Sequence, residues 1–330
     1  MSIRQTRLFK DPQSVLDATL RDAGYLNGWS FSREQIFAVV TAVAQAGVEA
    51  TEVGYISDNP QAPLAARSDA RLLAELREQT EGRINLAAMI SLNEVDPESL
   101  FSSRRDVLDL VRIPSTIAQI PQAIQIATAA QQAGIACSLN LVNISVLTNQ
   151  QIVETVEKVQ QAGVVDIFYL ADSRGACRPD DVRHIVGLVR AHWSGLLGFH
   201  AHDNTGFANV NPLLALEAGC ELIDGTVHGL GLGSGNTKLP YAMTLVQQQQ
   251  PTKQYQYAAL EALNTFDVPV PAEKSYLYYL VGAKNLAQLW VEPLLERYGI
   301  DTARRLQQIP KKPYTAIEQV IQEIDACKPK

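Results

Sequence analysis

Short apolar runs alternate with longer amphipathic stretches through the first three-quarters of the chain. Eight apolar runs predict strands, at residues 14–16, 50–54, 84–90, 108–113, 136–142, 166–171, 196–202 and 222–228. Between them, apolar residues recur three and four apart over 32–46, 65–79, 117–133, 149–162, 179–192 and 210–218, the period of a helix with one buried face. Ser32 and Thr148 stand where helix N-caps are needed. Gly47, Gly134, Gly163 and Gly219 stand where helices stop before the next strand. Eight such strand–helix units in about 240 residues predict an α/β fold, a (β/α)8 TIM barrel. A doubly wound open sheet uses the same alternation; the count of eight, and the polar residues gathered at several strand ends, favour the barrel.

Beyond about residue 245 the strand pattern ends. Gln247–Gln250 followed by Pro251 reads as a loop, and helical patterns follow at 257–264, 276–298, 302–308 and 314–326. The expected division is a catalytic barrel over 1–245 and a helical C-terminal extension over 246–330, serving as a pocket lid or as a subunit or partner interface.

Composition narrows the function. The 330 residues are 46% hydrophobic and 19% charged, and the net charge of −7 disfavours nucleic acid or an anionic membrane as partner. No window approaches 18 apolar residues, so no membrane span is expected. Met1–Lys10 lacks the apolar core of a secretory signal. Cys137, Cys177, Cys220 and Cys327 are too scattered for a zinc knuckle or disulfide framework, and Asn143-Ile144-Ser145 reads as a chance sequon. The expected compartment is the cytoplasm.

Candidate chemistry lies at the strand ends. His200 and His202 are two apart on a strand, so their imidazoles share one face. Asp22 and Arg21 end the first unit, in Asp17-Ala18-Thr19-Leu20-Arg21-Asp22. Glu52 and Arg112 are charges inside apolar strands, and a buried Glu52 needs a cation such as Arg21. Asp172 and Ser173 close the sixth strand, and Asn236 follows the glycine run Gly229–Gly235. One carboxylate, two imidazoles and an amide oxygen suit Mn²⁺, Mg²⁺, Co²⁺ or Zn²⁺ with open positions, and the lack of thiolates disfavours a closed zinc site. An arginine beside such an ion is what enolate chemistry needs.

Thr19-Leu20-Arg21-Asp22, Phe199-His200-Ala201-His202 and Gly231-x-Gly233-x-Gly235-Asn236 occur in this order in the DRE-TIM (HMGL-like) metallolyase superfamily, which the chain resembles from about Ser14 onward. The 4-hydroxy-2-oxovalerate aldolase branch is the most similar, through 108–115, 169–173 and 296–299 as well. The resemblance implies Asp22, His200 and His202 as metal ligands, Mn²⁺ foremost, with Asn236 a weaker ligand or a neighbour of the ion. It implies Arg21 as the enolate-stabilising group oriented by Glu52, and Arg112, Asp172, Ser173 and Arg174 as pocket groups that bind substrate.

Three positions depart from the pattern. Ala23 replaces a glycine, Tyr25 stands where these aldolases carry a catalytic histidine, and Arg174 replaces a glycine. Tyr25 or His228 is then the expected proton carrier, and Arg174 offers a cation to a substrate carboxylate or phosphate. The implied activity is a metal-dependent aldolase that forms or cleaves 4-hydroxy-2-oxo acids through a pyruvate enolate. The alternatives are a Claisen-type synthase joining an acyl-CoA to a 2-oxo acid, like isopropylmalate or homocitrate synthase, and a non-catalytic barrel scaffold. The lack of a cysteine in the glycine run disfavours the CoA lyase. The expected partners are a 2-oxo acid and an aldehyde, a second copy in a homodimer, and an acylating aldehyde dehydrogenase docked on the C-terminal helices. Tyr276, Tyr278 and Tyr279 are candidates to reach the pocket.

Overall fold

The computed structural model describes residues 8–93, 96–268 and 275–327; of the N-terminal stretch read as lacking a signal, residues 1–7 lie outside these. Eight strands close into a parallel barrel in chain order: β1 (Ser14–Asp17), β2 (Ala50–Ile56), β3 (Asn85–Ile90), β4 (Leu110–Ser115), β5 (Ala136–Leu141), β6 (Ile167–Asp172), β7 (Leu196–Ala201) and β8 (Leu222–Gly225), with β8 pairing back onto β1. These are the eight apolar runs, shifted by a few residues at their ends. His202 lies just past β7 and bridges to Asn236.

Inside the barrel the side chains form two zones. At the strand starts, Leu16, Leu110, Ile167 and Leu222 pack with Leu8 and Phe9 into an apolar plug. Toward the strand ends the interior turns polar, with Glu52, Arg112, Asn140, His200 and Asp224 all buried. The opposite strand faces, led by Val53, Val111, Phe168 and Phe199, bury against the surrounding helices in one large core. Burying a side chain of that size contributes roughly 1.5–3 kcal/mol. That outer layer is what holds a charged interior in place.

The helix signals work as expected at several ends. Ser32 with Gln35, and Thr148 with Gln151, form reciprocal caps, and the four expected stop glycines all take positive φ. The stretch 65–79 is not one helix: Leu64–Arg67 ends on Ser68 in a left-handed turn, and Asp69 caps a new helix, Ala70–Gln79, through the Leu72 amide at 2.9 Å. The expected loop at Gln247–Gln250 is largely the end of a helix, Leu239–Gln249. The chain beyond it first returns to the barrel, where Tyr255, Leu263 and Phe266 join the barrel core. Residues between Leu277 and Ile324 then form an apolar cluster of their own. Among the described residues no helix is long and apolar enough to cross a membrane.

Candidate metal centre

Three strand-end segments meet at the mouth of the barrel. Asp22 sits in the first turn of the Thr19–Asn27 helix that leaves β1, with residues Thr19 to Gly24 all buried. His200 and His202 come from the end of β7. One ligand atom from each of these three side chains lies within 4.8 Å of the others.

Each imidazole is held by its outer nitrogen. His200 Nδ1 pairs with Asp224 Oδ2 at 2.9 Å, and His202 Nδ1 with the Leu232 carbonyl at 3.3 Å. An Nδ1–H donated outward leaves the Nε2 lone pair facing Asp22. Those Nε2 atoms lie 3.3 Å (His200) and 4.0 Å (His202) from Asp22 Oδ2. Asn236 Nδ2 donates to the same carboxylate at 2.5 Å. His200 Nε2, Asp22 Oδ1 and Asn236 Oδ1 are buried and make no hydrogen bond. Unsatisfied buried donors and acceptors are costly. These three atoms on one cluster, of which Asp22 Oδ1 is met only by the Arg21 guanidinium at 3.2 Å, are a donor set that a divalent cation satisfies, so the residues fit an N/O-ligated ion.

The electrostatics of Asp22 and His202 point the same way, whereas a His200 ligand would have to give up a proton to bind the ion. Burial pushes the Asp22 carboxyl up, but Arg21 and the two histidines outweigh it and hold it well below the usual carboxylate range. Burial drives His202 down to about 4, leaving it neutral at pH 7. For His200, burial is outweighed by Asp22 and Asp224, and its pKa is raised.

Behind the triad runs a buried chain of alternating charge. Arg21 Nη1 lies 3.2 Å from Asp22 Oδ1, and its Nε donates to Glu52 Oε2 at 2.8 Å. Arg112 donates to the same Glu52 oxygen at 3.0 Å and to Asp224 Oδ2 at 2.7 Å, and lies over the Tyr169 ring at 4.4 Å. Every charge in the chain faces an opposite one, which is what makes burial of this many ions tolerable.

In front of the triad lies a cavity of about 280 Å³. Arg21, Asp22, Tyr25, Ser173, His200 and His202 line it, together with residues the sequence reading did not single out: Tyr55, Asn140, Leu232 and the segment Ala287–Leu289. Of the other expected site residues, Glu52 and Arg112 sit in the barrel interior behind this wall. Asp172 is buried and accepts hydrogen bonds from the Ala176 and Cys177 amides at 3.1 and 3.0 Å, which shapes the loop after β6. Arg174 turns away from the cavity to the C-terminal extension, where it donates to the Asn285 and Tyr314 carbonyls. His228 is exposed, with Nε2 3.0 Å from the Leu263 carbonyl, and does not line the cavity. None of the three extension tyrosines lines it either. Tyr276 and Tyr279 stack on each other at the surface, and Tyr278 is buried in the extension. Asp224, which the sequence reading does not single out, carries the same signal as Glu52: a charge inside an apolar strand.

A family profile described as HMGL-like matches residues 13–266. The 4-hydroxy-2-oxovalerate aldolase of Thermomicrobium roseum is 32% identical over 234 residues, which cover 68% of this chain and 64% of that protein. This chain therefore spans just under two thirds of the length of that relative. A Mycobacterium tuberculosis protein named oxaloacetate decarboxylase is 26% identical over 239 residues, 71% of this chain and 70% of that one. Among solved structures, the N-terminal domain of a candidate aldolase from Bacteroides vulgatus superposes with a TM-score of 0.74 at 25% identity, covering 88% of this chain and 99% of the other. The carboxyl transferase domain of Rhizobium etli pyruvate carboxylase, 15% identical with a TM-score of 0.68 over 90% of this chain and 55% of the other, shares the fold.

Proposed function

The chain belongs to the HMGL-like family, and from that membership we propose that it is a metal-dependent carbon–carbon lyase acting on 4-hydroxy-2-oxo acids through the enolate of pyruvate. Asp22, His200 and His202 would hold the ion, with the Asn236 amide oxygen as a fourth, weaker donor; Mn²⁺ is the ion we propose from the family resemblance, and this mixed N/O set also suits Mg²⁺, Co²⁺ or Zn²⁺. When bound, a divalent ion there supplies Lewis acidity to the carbonyl and carboxylate oxygens of a 2-oxo acid. The observation that carries the reading is the convergence, in one cavity, of the triad with an arginine ion-paired to its carboxylate.

The remaining roles belong to the chain's own side chains. Arg21, fixed at one end by Glu52 and at the other by Asp22, presents a guanidinium to the oxygen on which enolate charge develops. Arg112 fixes Glu52 and Asp224 together, so in this reading it positions Arg21 and His200 and does not touch substrate. Ser173 offers a hydroxyl to the substrate. Tyr25 stands at the cavity beside Arg21 as the group that exchanges a proton with the aldehyde-derived oxygen. Arg174 and His228 take no part in the chemistry.

The division at residue 245 belongs to the same proposal, supported by the separate apolar cluster of the extension. So does a cytoplasmic location, supported by four cysteines that form no disulfide among the described residues. A second copy or an acylating aldehyde dehydrogenase as partner is supported by the exposed Tyr276–Tyr279 stack on the extension. Co-purification with that dehydrogenase and a dimer mass in solution are the checks.

The M. tuberculosis relative favours a second reading of the same site, since decarboxylation of oxaloacetate also leaves a pyruvate enolate. One assay separates the two. Chelated protein is given 4-hydroxy-2-oxopentanoate or oxaloacetate, with and without Mn²⁺, and pyruvate release is followed beside the His200→Ala variant. Metal-dependent release from the hydroxy acid that vanishes in the variant supports the aldolase. Release from oxaloacetate alone supports the decarboxylase, and release from neither overturns both.

A further inference from the structure

We propose that Tyr55 is the second member of a two-tyrosine proton relay with Tyr25, serving the oxygen of the aldehyde carbon; this rests on the aldol reading above. The two phenol oxygens lie 2.7 Å apart, and both side chains line the cavity beside Arg21 and Asp22. Tyr55 reaches that position only because β2 is irregular. Glu52 pairs with Ala87 on β3, but Tyr55 pairs with Met89, so three steps on β2 face two on β3. On a regular strand, residues three apart point to opposite faces. The bulge turns Tyr55 back to the side of Glu52, toward the mouth of the barrel. Gly54 makes the bulge: its φ is +140°, and a Cβ there would lie 1.9 Å from the Ala65 carbonyl oxygen.

A third aromatic fixes the pair. The Trp29 ring stands edge-on to both Tyr25 and Tyr55, with centroids at 4.8 and 5.2 Å. Its Nε1 donates to the Arg21 carbonyl at 3.0 Å, which ties the aromatic group to the backbone of the metal-centre helix. Gly24 leaves the room this needs, since a Cβ would meet the Trp29 ring at 2.2 Å. Two glycines, a bulge and a left-handed Trp29 at φ 57° thus serve to hold two hydroxyls together.

A lone phenol is a poor proton carrier here. Burial raises both phenols above their usual pKa, so neither holds a negative charge at neutral pH. A relay needs no charge to rest on either. In addition, the enolate carbon bonds to the aldehyde carbon and the carbonyl π pair moves to its oxygen. That oxygen takes the Tyr25 proton, Tyr25 takes the Tyr55 proton, and water returns one to Tyr55. Cleavage runs the same transfers backward and delivers the hydroxyl proton to water.

The test compares two reactions of the protein with Mn²⁺. Pyruvate C3 hydrogen–deuterium exchange reports enolisation without an aldehyde; pyruvate release from 4-hydroxy-2-oxopentanoate reports the whole reaction. Tyr55→Phe and Tyr25→Phe are each expected to lower release about 100-fold, the scale of general acid–base catalysis, while exchange changes less than about threefold. The double variant is expected to be no slower than either single one, with the solvent isotope effect on release altered in both singles. Wild-type release in Tyr55→Phe, losses that multiply in the double variant, or release and exchange falling together would each overturn the relay. Both substitutions keep the ring that packs on Trp29; if one fails to fold, the other is read by its isotope effect. Wild-type protein that neither exchanges nor cleaves overturns the aldol reading itself, an outcome distinct from an active wild type with an active Tyr55→Phe.

Discussion

Asp224 shows how one carboxylate serves two neighbours. Its Oδ2 accepts from His200 Nδ1 and from Arg112 Nη2, so it sets the imidazole's orientation and anchors the arginine that steadies Glu52. Asp224→Asn keeps the shape and removes the charge. Loss of such an outer partner weakens a metal about 10–100-fold. That range is the expected drop in Mn²⁺ affinity by titration calorimetry, and unchanged affinity would remove Asp224 from the centre. Asp17, at the end of β1, makes a different prediction. It accepts from the Thr19 amide at 3.2 Å and from Thr51 Oγ1 at 2.7 Å, yet burial raises its pKa to about 6. The folded state therefore binds its proton more tightly than the unfolded chain does. Its contribution is fully present below about pH 4 and is lost as pH rises through about 6, by up to about 3 kcal/mol. Asp17→Asn is thus expected to gain stability relative to wild type between pH 4 and pH 7. Urea melts of chelated protein at the two pH values check this; an equal difference at both would refute it.

At the scale of elements, the strands were legible because each is a separate apolar run closed by a turn signal, and the paired histidines because a two-residue spacing fixes their common face. The β2 bulge was not legible. Nothing in Ala50-Thr51-Glu52-Val53-Gly54-Tyr55 tells Gly54 from an ordinary strand glycine; the Ala65 carbonyl that excludes a Cβ comes from a later segment. The bulge is also where a single methyl does the most harm. Gly54→Ala would place that methyl against backbone in a conformation side chains avoid, which calls for a loss of at least about 3 kcal/mol. A melt shift of several degrees, with Tyr55 displaced, is the expected result, and a wild-type melting curve would show that β2 can straighten at little cost. The extension is helical as expected, but its first helix breaks off early for a similar reason. Residues 276–298 carry a continuous helical pattern, yet the helix stops at Ala283 because Asn285 turns left-handed at φ 59° and pairs with Ser145 through both ends of its amide. That contact, 140 residues away in sequence, carries the next segment, Ala287–Leu289, to the cavity. The tyrosines expected there were left behind on the surface.

The whole molecule assembles its cavity from two bodies of apolar packing. The barrel supplies the charged wall, and the extension, with its own core, supplies Ala287, Gln288 and Leu289 as one side of the mouth. Arg174 is one polar link between them, beside the Ser145–Asn285 pair and the Asn204–Gln288 hydrogen bond. From the loop after β6 its guanidinium donates to the Asn285 and Tyr314 carbonyls, the latter at 3.0 Å, and to Asn143 Oδ1 at 3.3 Å, and it lies over Trp290 at 5.5 Å. Burial lowers its pKa to about 10, which still leaves it charged at neutral pH. Arg174→Ala leaves carbonyls of two extension segments without their donor, at a cost of about 3 kcal/mol. Because the extension's apolar cluster is separate from the barrel's, that loss should fall on the extension as a local opening and not on the barrel as global unfolding. The expected result is faster proteolytic cleavage within 275–327 while the barrel fragment persists. A raised KM should accompany it, from the loosened Ala287–Leu289 wall, with Mn²⁺ affinity unchanged because every ligand is in the barrel. Cleavage at the wild-type rate would mean that apolar contacts alone hold the extension. Loss of Mn²⁺ affinity would mean that the two bodies fold as one.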